Sequence, residues 1–283
     1  MNELARAASF FARDLASWKR ALVCFVSSSV LSTFAAAEQD SRGSILHETW
    51  EQTYPVSENL TLSVQNTDGR IYIYGSDDNQ LTVTAVKRSF TQERMDVISI
   101  QVAVEGNAAG DGDTATVRTI IPPPPNGGIT QDRSGTVDYT ILVPQNCTVA
   151  AADLTNGEVL IEGLRGPSIN ARAENGRVLV RNCFTQAQVS LGRGGMDVFY
   201  TWWAEWPFSL QAEVRDGDLR VGLPADASVR LNARTDTGHI TNHFGEGETD
   251  EDQRSVSLTL GQGGESELTL RTGSGNIRID QSY

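Results

Sequence analysis

Ser168-Ile169-Asn170-Ala171-Arg172-Ala173-Glu174-Asn175-Gly176-Arg177-Val178-Leu179-Val180 is the stretch on which the fold turns. Ile169 and Ala171 stand seven and five residues before Gly176, and Val178 and Val180 stand two and four after it. A spacing of two is the signature of strands with one buried face. The residues between, Arg172, Glu174 and Arg177, then point to solvent. Asn175-Gly176 supplies a pair that accepts positive φ. The unit therefore reads as strand, polar–Gly turn, strand.

The unit recurs, anchored at Gly69, Gly157, Gly176, Gly194, Gly217, Gly238 and Gly275, with the last five intervals 19, 18, 23, 21 and 37 residues. Seven and five residues before these glycines stand Leu62 and Val64, Ala150 and Ala152, Ile169 and Ala171, Ala187 and Val189, Leu210 and Ala212, Leu231 and Ala233, and Leu268 and Leu270, all fourteen apolar. Two after stand Ile71, Val159, Val178, Met196, Leu219, Ile240 and Ile277. Four after stand Ile73, Ile161, Val180, Val198, Val221, Asn242 and Ile279, where Asn242 is the polar exception. A period of about 20 residues predicts an all-β β-solenoid, one coil per repeat. The alternative is an antiparallel β-sandwich, because Asn-Gly between alternating strands is also a hairpin signal. The solenoid is favoured by the constant inward pattern and by a small-residue layer, Ala152, Ala171, Ala212 and Ala233, suited to stacking like on like.

Residues 81–143 break the repeat. The segments 81–86, 97–104 and 137–143 alternate in polarity and are expected to form an open antiparallel sheet that caps the solenoid. Pro122-Pro123-Pro124-Pro125 cannot join a central ladder, and with Asn126-Gly127-Gly128 it reads as a polyproline-type loop. Residues 106–113 read as another loop.

At the start, Lys19-Arg20 precede an apolar run from Ala21 to Phe34, followed by Ala35-Ala36-Ala37. This is the pattern of a signal peptide cleaved after Ala37. An uncleaved anchor competes, because the segment before the run is long. A lipoprotein fits worse, since Val23 stands before Cys24 where a small residue is expected. The domain plan is then signal peptide 1–37, linker 38–55 and repeat domain 56–283, with 147–283 its regular part.

Of 283 residues, 39% are hydrophobic and 21% charged, ordinary for a globular protein. Twenty-six Gly and nine Pro speak for turns and against a helical bundle. The net charge is −13; residues 1–37 hold four basic and two acidic groups, so the remainder holds 19 and 34, a net of −15. Such a chain repels phosphate backbones and anionic membranes. Past the export segment the cysteines are Cys147 and Cys183, 36 residues or about two repeats apart. Two strand spacings separate them by about 9.6 Å, more than the roughly 7 Å between Cα atoms that a disulfide spans. Two buried free thiols are expected.

Leu142-Val143-Pro144, Leu154-Thr155-Asn156-Gly157-Glu158-Val159, Glu174-Asn175-Gly176-Arg177-Val178, Leu223-Pro224-Ala225-Asp226-Ala227-Ser228-Val229 and Arg271-Thr272-Gly273-Ser274-Gly275-Asn276-Ile277 follow one another in an order that resembles a known group. It is the bacterial "putative adhesin" β-strand-repeat family, related to autotransporter adhesin heads, and the resemblance covers about residues 56–283. It implies an exported, envelope-associated, non-catalytic β-solenoid, and it carries over no catalytic motif. The tetraproline loop and a Trp-rich insert depart from the pattern.

That insert, Phe199-Tyr200-Thr201-Trp202-Trp203-Ala204-Glu205-Trp206-Pro207-Phe208, lengthens its repeat to 23 residues and holds three of the five Trp. Its rings either plug a corner of the core or, exposed, form a binding patch of Tyr200, Trp202, Trp203 and Trp206. His239 and His243 share a strand face about 13 Å apart, too far for one metal without a bend. Asp216, Asp218, Asp236 and the acidic run 246–252 match no calcium loop. Arg172, Arg177, Asp216 and Arg220 are candidates for a groove that cleaves acidic polysaccharide, or for surface charges that keep the faces soluble. The expected function is an exported, non-catalytic envelope protein, periplasmic, surface-bound or released. It would act as an adhesin-like scaffold or binding surface for an envelope protein or glycan, with no cofactor, metal, nucleic acid or membrane span after signal cleavage. The alternative is a carbohydrate-active β-helix enzyme.

Overall fold

The computed structural model describes residues 45–106, 112–123, 132–245 and 247–282. The export segment, most of the loop 106–113, half of the proline run and Glu246 lie outside these residues. The elements are β1 (Leu46–Pro55), β2 (Thr61–Ser76), β3 (Gln80–Ser89), α1 (Gln92–Val97), β4 (Ser99–Gly106), β5 (Asp113–Ile120), β6 (Thr136–Pro144), β7 (Thr148–Glu162), β8 (Ser168–Arg181), β9 (Gln186–Phe199), β10 (Ser209–Pro224), β11 (Val229–Thr237), β12 (Ile240–Asn242), β13 (Glu248–Thr249), β14 (Ser255–Leu260), β15 (Glu267–Ser274) and β16 (Ile277–Ser282). All sixteen strands of the described residues belong to one sheet.

Strands β2, β7, β8, β9 and β10 pair in parallel, with Gly69 opposite Gly157, Gly157 opposite Gly176, Gly176 opposite Gly194 and Gly194 opposite Gly217. Parallel rungs exclude the antiparallel sandwich and make this a β-solenoid. Each of these strands runs through its glycine, so the polar–Gly turn is a bend inside one long strand. Two constraints fix glycine there. The seven φ values lie between 124° and 147°. A Cβ on Gly157 would stand 1.7 Å from the Gly69 carbonyl oxygen, and one on Gly176 1.9 Å from that of Gly157.

The stack does not follow chain order. After β10 the chain skips a rung. Strands β15 and β16 pair with β10, through Leu210–Leu268 and Leu219–Ile277. Strands β11 and β12 lie on their far side, through Leu231–Leu268 and Ile240–Ile277. The last repeat is therefore inserted between the two before it. Strand β14 pairs antiparallel with β11, and β13 with β14, which covers that end.

At the other end, β5 and β6 together form one more rung on β2, through Val64–Val117 and Ile71–Tyr139. The Tyr139 and Thr119 hydroxyls share a 2.7 Å hydrogen bond inside it. The expected antiparallel cap is present with different members: β1, β3 and β6 pair antiparallel, as do β4 and β5. Residues 137–143 run parallel to β2, β3 pairs antiparallel with β6, and β4 pairs with β5, a strand the sequence pattern did not reveal. The expected linker also contains β1, antiparallel to β3, with Trp50 and Tyr54 packed on the core.

Thirteen of the fourteen expected inward positions are buried. Ala150 is exposed because a bulge shifts the register, and Val149 takes the inward place opposite Ile169. A third buried layer lies three residues before each glycine: Asn66, Leu154, Ala173, Leu191, Val214, Thr235 and Thr272. Its polar members all bond across rungs. Asn66 Nδ2 donates to the Val137 carbonyl at 2.7 Å, Thr272 Oγ1 to Gly217 at 2.9 Å and Thr235 Oγ1 to Gly275 at 2.8 Å. Cys147 and Cys183 are buried free thiols, and burial pushes both up to about 12.

Candidate binding groove at the aromatic corner

Three loops meet at one corner of the stack: the Trp-rich insert between β9 and β10, the turn between β10 and β11, and the turn between β14 and β15. The rung insertion brings them together. Glu267 N donates to the Phe208 carbonyl at 3.0 Å, and Arg230 N donates to that of Ser266 at 3.1 Å. Ser266 Oγ reaches the Trp206 carbonyl at 3.5 Å.

The aromatic insert divides into an inner and an outer set. Phe184, Tyr200 and Phe208 are buried, with ring centroids 5.2 to 5.4 Å apart. Tyr200, expected in the exposed patch, is wholly buried; its hydroxyl donates to the Cys183 carbonyl at 3.0 Å. Burial raises its phenol well above the ordinary value. This ring plugs the corner and cannot meet a ligand. Outside, Trp202 is 39% and Trp206 42% exposed, and Trp203 is half-buried against Phe208. The Arg165 guanidinium lies 5.5 Å from the ring centroids of both Trp202 and Trp206.

Beside Trp206 opens a groove of about 560 Å³, lined among others by Trp203, Glu205, Trp206, Asp226, Glu265 and Ser266. Trp202 lies outside its wall but meets Trp206 edge to face, with ring centroids 6.3 Å apart. Glu205 lies inside the insert already singled out. Asp226 and Glu265 were not legible, because only the displaced last repeat puts them beside it.

The remaining sequence candidates are dispersed. Arg177 pairs with Asp197 at 2.6 Å, Asp216 with Arg215 at 3.1 Å and Arg220 with Asp280 at 2.6 Å. Arg172 borders a second, smaller hollow with Arg118, Asp153 and Glu174. Asp218 accepts from Asn276 N at 2.8 Å, and Asp236 faces Arg271 at 3.7 Å. Arg177–Asp197 and Arg220–Asp280 join neighbouring rungs, Arg215–Asp216 lies within one strand, and the candidates do not converge on one another. Glu248 and Thr249 of the acidic run form a short strand. His239 is exposed, while His243 Nδ1 lies 2.6 Å from Asp280. Among the described residues no three His, Cys, Asp or Glu side chains gather as a metal-ligand set. No described helix is long and apolar enough to cross a membrane.

A family model described as Toastrack DUF4097 matches residues 57–280. Among solved structures, a "putative cell adhesion protein" from Clostridium sporogenes is similar at 13% identity and a TM-score of 0.49, over 83% of this chain and 100% of that one. A "putative adhesin" from Bacteroides fragilis is similar at 14% identity and a TM-score of 0.31, over 82% and 97%. No curated protein matches the chain.

Proposed function

The chain belongs to the Toastrack DUF4097 family, and from that premise we propose that it is an exported, non-catalytic envelope protein whose corner groove is an adhesin-like binding surface for a glycan. The observation that carries this reading is the groove itself. It combines half-exposed indole faces, which stack on flat rings, with a volume of about 560 Å³, within the usual range for a small-ligand site. Export rests on the signal-peptide pattern of residues 1–37. The non-catalytic part of the reading is supported by the dispersal of the charged sequence candidates Arg172, Arg177, Asp216 and Arg220, and the three carboxylates of the groove make the cleavage assay below its test.

The test is an oligosaccharide-binding series on the unaltered chain and on Trp203→Ala and Trp206→Ala variants. Binding that weakens about tenfold or more in each variant, with an unchanged β-sheet spectrum, supports the reading. Binding that is absent, or indifferent to both substitutions, removes it. Release of reducing or unsaturated ends from a bound polysaccharide overturns the non-catalytic half. A mature protein whose mass starts at Glu38 supports export, and a cell-retained full-length chain opposes it.

A further inference from the structure

We infer that the groove selects a glycan carrying free, unacylated amines; this rests on the binding reading above and specifies its ligand. Three carboxylates, Glu205, Asp226 and Glu265, border the indoles of Trp203 and Trp206. Among the described residues none of the three has a hydrogen-bond or ion-pair partner, and no Lys, Arg or His lines the groove. Two cations stand at its rim, each engaged with a residue of the wall. Arg165 lies over Trp202 and Trp206, and Arg230 donates Nη1 to the Gly264 carbonyl at 3.0 Å.

The chemistry follows from these placements. Three carboxylates around one concavity draw positive counter-charge there. An indole face attracts a cation within about 6 Å of its centroid, and Arg165 already sits over Trp206 in this way. An acidic sugar is repelled both by the groove and by a chain of net charge −13. A neutral sugar stacks but gains no charge attraction from the carboxylates. A hexosamine with a protonated amine supplies both the ring and the charge; acylating the amine removes the charge.

The experiment titrates the full chain calorimetrically at about pH 6, below the pKa of an amine. The probes are a glucosamine hexamer, an N-acetylglucosamine hexamer and a lysine hexapeptide. The expected result is roughly tenfold tighter binding of the free-amine hexamer than of its acetylated counterpart at low salt. That preference should fall toward unity at high salt and in the Glu205→Gln, Asp226→Asn, Glu265→Gln triple variant, while Trp206→Ala weakens both sugars. Equal affinity for the two hexamers overturns this inference and leaves the glycan reading standing. Tighter binding of the peptide than of either sugar replaces the glycan with a basic peptide. Binding of none of the three overturns both. If the triple variant misfolds, the salt series on the unaltered chain decides alone.

Discussion

At the scale of single residues, the fold rests on a column of glycines whose carbonyls occupy the space that a side chain would need. Gly176 has φ 126°, and a Cβ there would stand 1.9 Å from the carbonyl oxygen of Gly157. Gly176→Ala must therefore move one rung off the next, and we expect a loss of roughly 3 kcal/mol in urea unfolding. Gly195 follows Gly194 of the column directly and provides the contrast. Its φ lies outside the left-handed region and nothing stands within 4 Å of a Cβ placed on it, so Gly195→Ala should stay within about 0.5 kcal/mol. A larger loss at Gly195 than at Gly176 would contradict the column argument. The thiols give a second residue-scale expectation. Burial raises Cys147 and Cys183 to about 12, so native protein at pH 8 should resist alkylation while urea-unfolded protein takes up two groups beyond Cys24. Mass spectrometry of iodoacetamide-treated samples reads the difference.

At the scale of elements, the inserted last repeat is locked by one carboxylate. Asp280 of β16 is 7% exposed and meets Arg220 of β10 at 2.6 Å, Arg278 at 2.8 Å and His243, just past β12, at 2.6 Å. Burial opposes its ionisation, but the hydrogen bonds from Arg278, His243 and Arg220 outweigh it and hold the carboxyl at about 2 against an ordinary 3.8. Because the folded value lies below the unfolded one, the stabilisation is complete above about pH 4 and is lost as pH falls toward 2. Asp280→Asn should cost about 1–2 kcal/mol at neutral pH and flatten the fall in stability between those pH values. A variant whose acid profile matches the unaltered chain would remove the lock. Nothing in the repeat pattern marked this cluster, since its members stand on three rungs and up to 60 residues apart.

At the scale of the whole molecule, the displaced repeat makes the C-terminal segment an internal part of the stack. Ending the chain at Gly261 removes β15 and β16, which separate β10 from β11 and β12. We expect residues 226–260 to become sensitive to limited proteolysis and the groove to lose Glu265, where trimming a terminal rung would leave the rest intact. Full protease resistance of the shortened chain would contradict the inserted order. The sequence by itself determined the coil: alternation around Gly176 and its kin named the inward residues, because burial on one face of a strand is a local, period-two property. It also marked the aromatic insert as a departure. It misplaced Ala150, because a bulge slips the register without altering composition. It did not reveal that β5 and β6 complete a rung, that the last repeat slides between its predecessors, or that Asp226 and Glu265 join the indoles. Those were decided by which strand edge pairs with which, and edges differ in their backbone neighbours rather than in their residues, so only the assembled sheet could choose among them.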